Sequence, residues 1–143
     1  MGKVLLSADS TCDLGAELKE EYQVHYYPFH IILDGRDYQD NVDITPQDIF
    51  KTYYDKKLLP QTAAINVQEY LDYFRPFVEQ GYEVVHLNLG GALSSAHQNC
   101  VLAAQELPGV YPVDSCNLST GIGHLVLDAG DWIREGFSAA EIA

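Results

Sequence analysis

The chain has 143 residues, a size at which one hydrophobic core can bury roughly 70% of the unfolded surface without disulfide or metal staples. Its 21 acidic and 8 basic residues give a formal net charge of −13, which disfavours nucleic acid and anionic membrane surfaces as partners. Three cysteines, odd in number and without CxxC spacing, offer neither a disulfide framework nor a zinc motif.

The cysteine usage fits a reducing compartment. The N-terminal apolar run is too short for a signal peptide, and no segment approaches the ~20 apolar residues of a membrane span. The expectation is a cytoplasmic protein with no membrane insertion.

Val4-Leu5-Leu6 reads as a short buried strand. The capping-rich Ser7-Ala8-Asp9-Ser10-Thr11 follows as a loop, with a helix starting near Asp13. Val24 to Leu33 is β-branched and aromatic and ends at Asp34-Gly35, a two-residue hairpin signal that places Tyr38 on the return strand. Thr45-Pro46-Gln47-Asp48 opens a helix, with a capping threonine and proline at the first helical position. Ile49, Phe50, Tyr53 and Tyr54 line one face of it, and such aromatic stripes are expected in the core.

Pro60 closes that unit, and Gln61 to Ile65 crosses as a loop to Asn66, a second N-cap. Val67, Tyr70, Leu71, Phe74, Phe77 and Val78 then recur at helical spacing, with Pro76 expected to kink or break the last turn and Gly81 to end it. Glu83 to Leu89 is a strand that runs into Gly90-Gly91 and a helix opened by Ser94-Ser95, which Pro108-Gly109 stops. Val110 to Val113 is a strand whose proline implies an edge or a bulge. Ile122, Leu125, Val126, Ala129, Trp132 and Ile133 form the last full helix, ended by Gly136. Ser138 with Glu141 opens one more helix, inside which the chain stops; the expectation is a truncated chain. Alternating strands and helices predict an α/β domain with a mainly parallel sheet flanked by helices, plus a β-hairpin.

Ligands of parallel α/β sheets gather at the carboxyl ends of the strands. Asp9-Ser10-Thr11, Gly90 to Ser95 and Asp114-Ser115 arrive there, and the Thr62 loop can join them. This rim is rich in Ser, Thr and Gly and holds no Lys or Arg, so it suits a single carboxylate held by neutral donors and helix-end amides. Structural roles compete with that reading. Ser95 with Gln98 spells a capping box, Asp9 to Thr11 can cap the first helix, and Asp114 and Ser115 can satisfy turn amides.

Two catalytic alternatives exist. Ser94 and His97 with Asp114 or Asp9 imitate a hydrolase triad, although no Gly-x-Ser-x-Gly elbow is present. Asp9 and Asp114 could hold Mg²⁺ for a phosphoryl-transfer enzyme, although these loops offer no lysine. Gly121-Ile122-Gly123 lies inside a predicted helix and makes no dinucleotide turn.

Taken together, the loops resemble those of the DegV family. Asp9-Ser10-Thr11-Cys12-Asp13-Leu14 resembles its Asp-Ser-Thr-x-Asp-Leu start, and Asp34-Gly35-x-x-Tyr38-x-Asp40 its hairpin. Pro60-Gln61-Thr62 stands at its Pro-x-Thr-Ser segment. Leu93-Ser94-Ser95-Ala96-His97-Gln98 is similar to its Leu-Ser-Gly-Thr-Tyr-Gln helix start, and Val113-Asp114-Ser115 with Leu118 to Gly121 to its Asp-Ser loop.

The resemblance implies the N-terminal domain, residues 1–143, of a two-domain fatty-acid-binding protein, the C-terminal domain being absent. It implies a carboxylate held by Thr62 and Ser94, with Ser95, Gly91 and Ser10 as further ligands. No catalytic residue, metal or cofactor is implied beyond the bound fatty acid, and a fatty-acid kinase is an implied partner. Gly90-Gly91 stands where the family carries Ser-Ser, Ser95-Ala96 where it carries Gly-Thr, and Ala63 where a serine follows the threonine. Backbone amides from Gly91 to Ser95 are therefore expected to carry more of the carboxylate.

Overall fold

A computed structural model describes residues 3–143. Two sheets divide the strands. The larger is built from β1 (Lys3–Asp9), β2 (His25–Tyr27), β6 (Tyr82–Asn88) and β7 (Val110–Asp114), all parallel, in the order β2-β1-β6-β7. The smaller is antiparallel, with β3 (His30–Leu33) between β4 (Arg36–Gln39) and β5 (Gln61–Ala63). Among the described residues six α-helices follow in chain order: α1 (Ala16–Glu21), α2 (Pro46–Lys56), α3 (Val67–Glu79), α4 (Ala96–Glu106), α5 (Thr120–Glu135) and α6 (Ala139–Ile142). The mixed α/β class and the hairpin follow the sequence expectation.

Strand alternation sorts the sheet into two unlike faces. Ser7, Asp9, His86 and Asn88 point to the side of α3, where Tyr73 bonds to Ser7, Tyr70 bonds to Asp9 and Asn88, and both rings pack edge-on against His86. Val85 and Leu87 point the other way, beside Leu125, Ala129 and Ile142 of α5 and α6. Tyr70, Leu71 and Phe74 of α3 are buried, each favouring the folded state by about 2–3 kcal/mol through removal of apolar surface from water. Asn66 and Glu69 form the capping box that starts this helix, and α3 runs through Pro76 to Glu79 rather than breaking at it.

Several boundaries differ from expectation. Ser7 to Asp9 belong to β1, and the next residues make a 3₁₀ turn, Ser10–Cys12, so α1 starts only at Ala16, with Gly15 as its cap. The apolar run from Val24 to Leu33 is two strands in two sheets, because Pro28 has no N–H to continue a ladder and Phe29 turns into the core. Asp34 and Gly35 both take positive φ, 52° and 72°, as a tight hairpin turn requires. The Thr62 segment is an edge strand rather than a loop, paired through Ile31. Pro112 lies on the edge strand β7, as expected. The aromatic stripe of α2 faces outward, with Phe50 61% and Tyr54 70% exposed.

Candidate functional site

The chain leaves β1 toward β2 on one side and later returns to add β6 on the other. The strand order therefore reverses between β1 and β6, and the crevice beyond their carboxyl ends is where such sheets place ligands. Asp9 ends β1, Asn88 ends β6, and the turn from Leu89 to Ser95 runs from there into α4.

Asp9 is inaccessible to solvent and its carboxylate is saturated. Oδ1 accepts from Tyr70 Oη at 2.7 Å and His86 Nε2 at 2.8 Å; Oδ2 accepts from Asn88 Nδ2 at 3.2 Å and the Leu89 amide at 2.9 Å. Ser7 Oγ lies 2.8 Å from His86 Nδ1 and 2.8 Å from Tyr73 Oη. A buried charge is tolerated only when donors surround it, and this one fixes the start of the Leu89 to Ser95 turn. Burial, and then the Asp9 charge, push the Tyr70 phenol up, so it stays a donor. Sequence reasoning missed Tyr70, His86 and Asn88. The available signal was a pair of polar residues two apart in each of two otherwise apolar strands, Ser7 with Asp9 and His86 with Asn88.

The other arm of the turn is held by β7. Asp114 Oδ1 accepts from the Gly91 and Cys116 amides, both at 2.9 Å, and these two bonds hold its carboxyl below the usual carboxylate range. Ser115 Oγ accepts from the Asn117 amide at 3.2 Å. Asp114 and Ser115 thus satisfy turn amides, one of the roles their sequence allowed.

The five expected ligands divide into two groups. Ser10 Oγ is nearly buried; it donates to Asp40 at 2.6 Å and accepts from the Phe29 amide at 3.0 Å. It ties the end of β1 to the segment carrying β3 and β4. The Gly91 N–H is engaged by Asp114. These two atoms are occupied by the fold itself.

Ser94 Oγ accepts from the Ala96 amide at 3.2 Å, which leaves its proton to donate elsewhere. The capping box expected of Ser95 and Gln98 is not formed: Ser95 caps α4 without a side-chain bond. Thr62 is exposed on β5, and among the described residues its hydroxyl has no hydrogen-bond partner. Asn99, on the first turns of α4, donates to the Ile65 carbonyl at 2.8 Å and so ties the Thr62 segment to the helix that Ser94 opens.

Neither catalytic alternative is assembled. His97 Nδ1 pairs with Asn88 Oδ1 at 3.0 Å rather than with Ser94. Asp9 is sealed in the core while Asp114 is exposed. Among the described residues no group of three or more His, Cys, Asp or Glu side chains is placed to hold a metal ion, and no helix is long and apolar enough to cross a membrane.

The fold and site define a helix-flanked parallel α/β domain with a small antiparallel annex, and at the sheet's switch point a turn that carries Ser94 and Ser95 into α4. The family model described as "Uncharacterised protein, DegV family" matches residues 3–143, and the chain belongs to that family. A DegV domain-containing protein of Clostridium perfringens is 28% identical over 144 residues, 99% of this chain and 52% of its own length. Among solved structures, a fatty-acid-binding DegV family protein from Thermus thermophilus aligns with a TM-score of 0.87 and 33% identity, over 98% of this chain and 50% of that one. A stearic-acid-binding protein from Eubacterium ventriosum aligns at 0.85 and 29%, over 99% and 50%. The chain thus spans about half the length of the relatives it matches.

Proposed function

We propose that this chain binds a long-chain fatty acid. In this reading Thr62 and Ser94 donate to the carboxylate, and the exposed Ser95 hydroxyl and neighbouring amides at the start of α4 support them. The observation that carries the reading is likeness over nearly the entire chain to two solved proteins described as binding fatty acids. The Ser94 hydroxyl, which accepts from the Ala96 amide and keeps its proton to donate, supports this reading.

The energetics are consistent. Burying an acyl chain is favourable by about 0.8 kcal/mol per CH₂ before association costs, so the head-group site has only to satisfy the carboxylate. Neutral hydroxyls and helix-end amides do that without a lysine. One α/β domain supplies one wall, and the remaining length of the relatives suggests a second. Presentation of the bound carboxylate to a separate fatty-acid kinase is the further role that the family resemblance supports.

Organic extraction and mass spectrometry of the natively purified protein tests the reading. A co-purifying C16 or C18 acid, and a higher melting temperature on adding palmitate, are expected. Recovery of no acid, with no thermal shift, would refute it.

A further inference from the structure

The ring orientation of His97, on the first turn of α4, is dictated from the core. Asp9 offers acceptors only, so Asn88 must turn its NH₂ toward the Asp9 carboxylate and Tyr70 Oη, as its bonds at 3.2 and 3.1 Å require. The amide carbonyl of Asn88 is thereby left facing His97, 3.0 Å from Nδ1. Since that carbonyl can only accept, Nδ1 must carry a proton. A neutral His97 then has a bare lone pair on Nε2, whereas a protonated one has an N–H donor there.

The Cδ2–Nε2 edge of the ring lies against the turn at Gly91. A Cβ placed on Gly91 would lie 3.6 Å from His97 Cδ2, the carbon bonded to Nε2, and 2.8 Å from Asp114 Oδ2. Among the described residues Nε2 has no hydrogen-bond partner, and the side chain is half-buried. The ionisable groups around it are Asp114 from β7, Asp9 and Tyr70 behind Asn88, and Cys100 one turn on in α4.

We propose that His97 is a head-group residue that binds the acyl carboxylate through Nε2 only by sharing a proton with it, so that fatty-acid binding is coupled to proton uptake. This rests on the fatty-acid reading above. A carboxylate meeting neutral His97 faces lone pair against lone pair. One proton resolves the clash, whether formally on the imidazole or on the carboxyl. The resulting N–H···O bond is charge-assisted and stronger than one from a neutral hydroxyl. It also places a positive charge beside Asp114, whose carboxylate would otherwise repel the ligand.

The experiment is titration calorimetry of palmitate into the protein at about pH 7.5, in buffers of different ionisation enthalpy, for wild type and His97→Gln. The wild type should take up a substantial fraction of a proton per palmitate bound. The variant should take up none and bind about tenfold more weakly at the same pH, because it loses the charge-assisted bond. Methyl palmitate should give no proton uptake with either protein.

Equal affinity and equal proton uptake in the two proteins would overturn the inference and leave the fatty-acid reading intact. No palmitate binding by either would overturn both. Nitrogen NMR of the wild type without ligand gives an independent check: neutral His97 should be the Nδ1–H tautomer, and an Nε2–H tautomer would refute the proposal whatever the variant does.

Discussion

A methyl group on Gly90 would stand 2.9 Å from the Asn117 backbone nitrogen and 3.1 Å from its carbonyl oxygen. On Gly91 it would meet the tip of the Asp114 side chain at 2.8 Å. The two glycines therefore have a packing reason: the loop after β7 lies on Gly90, and Asp114 at the end of β7 lies on Gly91. Backbone cannot yield as a side-chain tip can, so Gly90→Ala should cost about 1–3 kcal/mol, and Gly91→Ala less. Urea denaturation would measure both.

Asp9→Ala should be more damaging still, about 3–5 kcal/mol, because it strands four buried donors. At this scale the sequence was partly legible. Ser94 and Thr62 were named through the family resemblance; in the structure Ser94 Oγ accepts from the Ala96 amide and Thr62 lies exposed on β5. That Ser10 and the Gly91 amide are already occupied was hidden, since their partners, Asp40 and Asp114, lie 30 and 23 residues away. Pairings at such distances come from tertiary structure and leave no local pattern.

The three-stranded annex is joined to the main domain by a histidine. His30 on β3 places Nε2 2.7 Å from Glu69 at the start of α3 and Nδ1 3.0 Å from Asp37 on β4. Burial alone would lower its pKa, but the hydrogen bonds and charges of Asp37 and Glu69 outweigh burial and raise it. A raised folded-state value stabilises the fold fully below the unfolded value of about 6.5, and the gain is lost as pH rises through the higher folded value. The stability gap between wild type and His30→Gln should therefore be largest near pH 6 and shrink toward pH 9, as read from melting temperatures. A constant gap would contradict the clasp.

Periodicity located the capped helices α2 and α3 correctly because their starts are written locally, in Thr45-Pro46 and in Asn66 with Glu69. It could not reveal that β2 and β3 belong to different sheets, nor that β5 is a strand. A three-residue edge strand with all its side chains exposed has no alternation to read.

For the molecule as a whole, the net charge is −13 and the loops Asp9–Thr11, Gly90–Ser95 and Asp114–Ser115 carry no lysine or arginine, so the proposed head-group site relies on hydroxyls, helix-end amides and His97. The fold class was legible in the alternation of strands and helices. The direction of the α2 aromatic stripe was not, because helical spacing reports one apolar face without saying what covers it. The central claim is that Thr62 and Ser94 together hold an acyl carboxylate. Palmitate affinity of the Thr62→Val/Ser94→Ala double variant tests it most directly, with melting temperature as the control for folding. The account predicts a melting temperature within a few degrees of wild type and palmitate binding weakened at least about tenfold, two net hydrogen bonds to a charged group being worth that or more. Unchanged palmitate affinity in a folded double variant would contradict it.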